Sequence, residues 1–128
     1  MRLALTLILA VQAAQAQTPM TPEEFERWAT GKTLDYATDG QVWGSEAYLP
    51  GRRVVDADTG GPCRDGSWYA DGDAVCFVYP DFDGTHCWLY WREGDAVFAK
   101  PVLSAPEDAP QRVSPAATPL ACAPEVGV

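Results

Sequence analysis

Residues 71–91 read DGDAVCFVYPDFDGTHCWLYW, placing two cysteines, one histidine, four acids and six aromatic side chains within 21 positions. Those types can make a cysteine–histidine nucleophile pair, a calcium loop, a pair of catalytic carboxylates, or a stapled hairpin. Spacing separates these options. His86 is the sole histidine of the chain and adjoins Cys87. Neighbours along a strand point to opposite faces, so the two do not meet as nucleophile and base. Asp81-Phe82-Asp83-Gly84 has the acidic start of a calcium loop, but the twelfth residue from Asp81 is Arg92, where such a loop needs a glutamate. The sequence points to no metal-ligand set, no cofactor motif and no G-x-S-x-G serine elbow. Eighteen acids make some proximity unavoidable, and most fall in turns, so solvated turn residues are the expectation. Two carboxylates converging in an aromatic cleft, one with a raised pKa, would instead indicate hydrolysis of a glycosidic bond.

The hairpin reading needs two strands. AVCFVY (74–79) and HCWLYW (86–91) are rich in β-branched and aromatic residues, and Pro80 to Asp83 supplies a turn between them. Paired around that turn, Cys76 and Cys87 fall opposite each other, at a separation that suits a disulfide. Four cysteines allow three connectivities; this register selects Cys76–Cys87 and, by elimination, Cys63–Cys122. A turn centred on Asp83-Gly84 would shift the register and break the opposition. In the first register Phe77, Tyr79, Trp88 and Tyr90 share one face with His86, and Cys76, Val78, Leu89 and Trp91 share the other. Tyr79, Trp88 and Tyr90 are therefore candidate binding residues, exposed if the face is a platform and buried if it is core. A second candidate pair is Tyr48 and Arg53, flanking Pro50-Gly51. Pro-Gly suits a type II turn, which matches strand twist poorly in a tight hairpin, so a longer loop is the alternative; the tight register sets Tyr48 opposite Arg53 with Glu46 diagonal to them, a stacked and charge-paired cluster.

These strands belong to a longer series. Between Thr33 and about residue 100, short β-prone runs alternate with turn pairs such as Asp39-Gly40, Gly60-Gly61 and Asp71-Gly72. No helical pattern intervenes. The expected fold is mainly β, an antiparallel meander forming a small barrel or sandwich. It is preceded by a short N-terminal helix within residues 17–32, where Thr21 is the cap, Pro22 the first helical position, and Phe25 and Trp28 share a face. Residues 101–128 hold six prolines and no aromatic, which predicts an extended, irregular tail tied down by Cys122.

The chain opens with MRLALTLILAVQAAQA. Arg2, the apolar run from Leu3 to Val11 and the Ala14-x-Ala16 ending have the form of a secretory signal peptide over residues 1–16, too short to span a bilayer. Cleavage removes Arg2, leaving eight basic residues against 18 acidic ones, a formal charge of −10. Such a chain repels phosphate backbones and anionic lipid, so nucleic acid is excluded as a partner and no membrane span is expected after cleavage. An even number of cysteines in an exported chain implies disulfides and a periplasmic or secreted location.

The spacing G-x-E-x-Y-L-P-G-R (Gly44 to Arg52), C-x-x-G-x-W (Cys63 to Trp68), C-F-x-Y (Cys76 to Tyr79) and C-W (Cys87-Trp88) resembles small exported proteobacterial domains of unknown function. The resemblance spans about residues 21–91 and implies a signal peptide followed by one Trp- and Cys-rich β domain. It brings no catalytic residue. The expected function is non-catalytic binding of a protein, peptide, glycan or other envelope component, with small β-barrel protease inhibitors as an analogy of fold. The contrasting expectation is a small periplasmic hydrolase acting on cell-wall or carbohydrate material.

Overall fold

The computed structural model describes residues 17–123; the expected leader at 1–16 lies outside the described residues. One helix, α1 (Pro22–Ala29), precedes eight strands: β1 (Thr33–Thr38), β2 (Gln41–Leu49), β3 (Arg53–Asp58), β4 (Arg64–Asp71), β5 (Ala74–Tyr79), β6 (Phe82–Glu93), β7 (Ala96–Pro101) and β8 (Gln111–Pro115). Each strand pairs antiparallel with the next, and β8 returns to β1, closing an up-and-down barrel. Closure removes every sheet edge. The β-prone runs between Thr33 and about residue 100 form the first seven strands. The eighth strand corrects the expectation of an irregular tail. Gln111–Pro115 lies between prolines 110 and 115, and its central residues pair with both β1 and β7.

An eight-stranded barrel is just wide enough for side chains to fill it or to hold one small ligand. Here its two ends differ. Thr21 caps α1 by accepting the Glu24 N–H at 3.2 Å, and Pro22 occupies the first turn. Backbone bonds hold both flanks of the helix to the wall: the Met20 N–H donates to the Tyr90 carbonyl, and the Gly31 N–H to the Tyr48 carbonyl. Phe25 is fully buried. Its ring meets those of Tyr48, Trp68 and Tyr90, which come from β2, β4 and β6, so it sits on the barrel axis as a plug. Outside, Arg52 lies 4.4 Å over the Trp68 ring and pairs with Glu26 of α1 at 3.1 Å.

Both disulfides of the sequence reading are present, Cys76–Cys87 and Cys63–Cys122. The turn after β5 falls at Pro80-Asp81, and a register shift next to Tyr79 leaves Cys76 directly opposite Cys87. Cys63–Cys122 closes 59 residues of chain, worth about 4 kcal/mol by chain entropy. Beside it Leu120 and Ala123 pack on Ala47, Leu49 and Val55, a small second cluster on the outer wall of β2 and β3.

Two disulfides place the protein in an oxidising, non-cytoplasmic compartment. No helix among the described residues is long and apolar enough to cross a membrane.

Candidate functional site: the open mouth of the barrel

The end opposite α1 is not filled. A cavity of about 170 Å³ opens there, walled by aromatic rings from four strands, β1, β2, β5 and β6, and carrying Glu46, Asp56, Arg64 and His86. Strand alternation delivers these groups. Glu46 and Tyr48 point inward from β2; Asp56 stands opposite Glu46 on β3, and Arg64 opposite Asp56 on β4. His86, Trp88 and Tyr90 point inward from β6, with Phe77 opposite His86. Gly66 on β4 is required by the wall itself: a Cβ there would lie 2.5 Å from the Tyr79 ring and 2.7 Å from the Val78 carbonyl oxygen. The missing side chain lets Tyr79 fold across β4 towards Glu46.

The floor is a buried network of oxygens. Tyr48 donates to Glu46 Oε1 at 2.7 Å, and Tyr79 donates to Oε2. The Tyr36 hydroxyl is bonded to the Tyr48 hydroxyl, and to that of Tyr90 at 2.7 Å. A phenol has one proton to give. With Glu46 ionised, Tyr48 spends its proton on the carboxylate, so Tyr36 donates to Tyr48 and Tyr90 to Tyr36. Every phenol proton in the network then runs towards one carboxylate. Glu46 is 4% exposed. Burial, seconded by the charge of Asp56, pushes its pKa up to about 8 against the pull of the two tyrosines and Arg64. Near pH 7 it is mostly the neutral acid. Burial also raises the four phenols, which stay protonated.

Arg64 is the cation of the mouth, and its own neighbours hold it. Its Nε and Nη2 reach Asp56 Oδ2 at 3.0 and 2.5 Å, and Nη2 reaches Asp58 Oδ1 at 3.3 Å. It also lies over the Tyr79 and Phe82 rings, 5.9 and 5.3 Å from their centroids. Burial raises the Asp56 pKa, and Arg64 opposes that rise. His86 Nε2 is buried and has no hydrogen-bond partner among the described residues. Trp43, 39% exposed at the rim, donates from Nε1 to Gln111 Oε1 at 2.5 Å.

The residues singled out in the sequence distribute unevenly. Tyr79 and Trp88 line the cavity half-buried, and Tyr90 is buried with its hydroxyl in the floor. The aromatic face of the hairpin thus turns into the barrel. Tyr48 lies beneath the cavity and is linked to it through its hydrogen bonds to Glu46 and Tyr36. Arg53 does not face Tyr48: it pairs with Leu49, while Tyr48 pairs with Val54. The tight hairpin is replaced by a short 3₁₀ turn, Pro50–Arg52, in which Gly51 takes φ 76°. That insertion moves Arg53 to the outer face, where it is exposed. His86 and Cys87 point apart, as alternation requires.

Glu46, Asp56 and Arg64 are the groups sequence reasoning passed over as a site. Their signal was present. In QVWGSEAYL, Glu46 is in phase with Tyr48, and in RVVDA, Asp56 is in phase with Val54, so each acid sits on the apolar face of its strand. The expectation that acids fall in turns does not hold for this pair. Among the described residues, no three His, Cys, Asp or Glu side chains converge as metal ligands. A second recess, of about 540 Å³, lies on the outer wall between the Cys63–Cys122 disulfide and the loop after β3; Asp58 is the one charged residue lining it. No family model, no curated protein and no solved structure matches the chain.

Proposed function

We propose that the protein is a non-catalytic binding module, periplasmic or secreted, whose site is the open mouth of the barrel. The partner presents one ring-sized group, from a protein, a peptide or an envelope glycan. The observation that carries this reading is the contrast between ends: Phe25 fills one, while the other keeps an aromatic cavity of about 170 Å³. A cavity of about 150 Å³ accepts a single benzene ring, so the mouth suits one ring or one short side chain.

The second reading, a small hydrolase, rests on Glu46 and Asp56 standing opposite each other, with Glu46 neutral near pH 7. That is the charge division a general acid and a base require. It ranks second because both acids are already engaged. Each Glu46 oxygen takes a tyrosine, and Asp56 holds Arg64.

The test is titration with peptidoglycan fragments and with short peptides, followed by tryptophan fluorescence in the parent and in Trp88→Ala. Saturable quenching by one class, weakened at least about fivefold in Trp88→Ala, supports binding at the mouth. Release of shortened fragments, seen by mass spectrometry and lost in Asp56→Asn, would replace this reading with the hydrolase. Equal quenching in parent and variant would move the site away from the mouth.

A further inference from the structure

We infer that the mouth is selective for an organic cation: a protonated amine on a ring-sized or short aliphatic group, seated between the aromatic wall and the Glu46–Asp56 pair. This rests on the mouth being the binding site and adds the chemistry of what enters it.

Three observations converge. The first is the wall. Tyr36, Trp43 and Trp88 form a connected aromatic set, with Tyr36 centred 5.8 Å from Trp43 and 6.1 Å from Trp88. Stacked or caged rings of this kind attract a cation through their quadrupoles. Arg64 already lies over the opposite wall, at Tyr79 and Phe82, so the Trp43–Trp88 side is the one with no internal cation over it.

The second is the balance of charge. Arg64 contacts two carboxylates, Asp56 and Asp58. That group is net negative before Glu46 is counted. Among the described residues no cation contacts Glu46, whose oxygens take the phenols of Tyr48 and Tyr79. A neutral or anionic guest leaves the acid as it is. A cationic guest supplies the charge that an ionised Glu46 lacks, and the phenol network already aims its protons at that carboxylate. The whole chain, at −9, attracts cations to the mouth at longer range.

The third is His86. It lines the cavity, and its Nε2 is buried with no hydrogen-bond partner among the described residues. In the tautomer that carries its proton on Nδ1, Nε2 is an acceptor that an ammonium N–H can use.

Entry of an ammonium therefore exchanges a proton. The Glu46 O–H bond breaks, the proton leaves to buffer, and the carboxylate stays paired with the guest. The groups facing Glu46 are Tyr36 from β1, Tyr48 from its own strand, Asp56 from β3, Arg64 from β4, Tyr79 from β5 and Tyr90 from β6. Arg64 and the four phenols hold their protons below pH 10. Asp56 shares the sign of Glu46 and is raised by burial against the pull of Arg64, which pairs with it; Glu46 has no cation in contact with it among the described residues, so it is the acid whose proton the guest displaces.

The experiment uses three probes on one ring, cyclohexylamine, cyclohexanol and cyclohexanecarboxylate, with Nα-acetyl-lysine amide as a fourth. Calorimetry at pH 6 and pH 8.5, in two buffers of different ionisation heat, reads affinity and proton release. Cyclohexylamine is expected to bind about tenfold or more tighter at pH 8.5 than at pH 6, releasing close to one proton at pH 7. Glu46→Gln preserves one acceptor and gives a donor for the second tyrosine, and its binding should lose both the pH dependence and the proton release. If that variant does not fold, Asp56→Asn, which keeps Glu46, is expected to weaken the amine while retaining proton release. Tighter binding of the lysine derivative indicates a side chain of a peptide partner; tighter binding of cyclohexylamine indicates a free amine. Equal binding of cyclohexanol and cyclohexylamine, with no proton released, overturns the cation inference and leaves the mouth as a binding site. Binding of none of the four overturns both.

Discussion

The two ends of this barrel are built from the same strands and solve opposite problems. At the α1 end, Phe25 packs on aromatic rings, edge-on to Tyr48 and Trp68 and tilted against Tyr90, and the helix flanks donate backbone bonds to β2 and β6. At the mouth, the same β2 and β6 carry Glu46 and His86, and no element of the described chain covers them as α1 covers Phe25. Tyr48 and Tyr90 belong to both ends: their rings pack on Phe25, and their hydroxyls belong to the network beneath Glu46. The plug end is where burial stabilises the fold. The mouth is where burial of a carboxyl works against it, as expected when a site is maintained for something other than stability.

The largest expected effect sharpens that contrast through pH. Glu46 has a folded pKa of about 8 against an ordinary 4.5, so the folded protein holds a proton that the unfolded chain releases between those values. The contribution of Glu46 to stability is therefore full below about pH 4.5, falls as pH rises, and levels off above about pH 8, a loss on the order of 4–5 kcal/mol. Asp56, also raised by burial, adds in the same direction. Urea unfolding at pH 5, 7 and 9 should show the midpoint dropping in the parent and nearly flat in Glu46→Gln. A parent midpoint equal at pH 5 and pH 9 would mean that the mouth carries no stored cost.

The next effect belongs to the plug. Phe25→Ala removes a fully buried ring that touches three others, and about 3–4 kcal/mol of stability should go with it. The loss should be independent of pH between 5 and 9, measured by the same unfolding, because the phenols whose rings pack on Phe25, Tyr48 and Tyr90, stay protonated. A pH-dependent loss would mean that the two ends are coupled through Tyr48 and Tyr90 more strongly than their packing implies.

Much of the plug end was legible in the sequence and less of the mouth was. Thr21-Pro22 and the spacing of Phe25 and Trp28 identify a helix by local capping and periodicity, which do not depend on the rest of the chain. The Cys76–Cys87 opposition follows from strand alternation and turn placement, again local. The misses are non-local. Gln111–Pro115 has weak strand character of its own and is a strand because β1 and β7 flank it. Arg53 changed faces because a three-residue turn replaced a two-residue one, and a single inserted residue reverses every later side chain. Glu46 was visible as an acid in phase with a tyrosine. Its meaning depends on Asp56, Arg64 and Tyr79 arriving from three other strands, which closure of the barrel alone decides.

The smallest expected change in stability falls at the rim, where it is paired with a large change in binding. Trp43 is 39% exposed, contacts Tyr36 at 5.8 Å, and holds Gln111 by one hydrogen bond. Trp43→Ala removes a partly exposed rim ring and one hydrogen bond rather than a fully buried plug, so the loss of stability should be smaller than that of Phe25→Ala, on the order of 1–2 kcal/mol. It also removes one ring of the set that faces the cavity. An aromatic contact of this kind is worth about 1 kcal/mol, so affinity for cyclohexylamine should fall about fivefold at pH 8.5. Phe25→Ala should show the reverse, a large loss of stability with affinity unchanged in the fraction that stays folded. Measuring both variants by unfolding and by calorimetry separates the ends directly. If Trp43→Ala weakened stability and left affinity intact, the rim tryptophan would belong to the wall that closes β1 against β2 and β8, and the site would have to lie deeper, on Trp88 and His86.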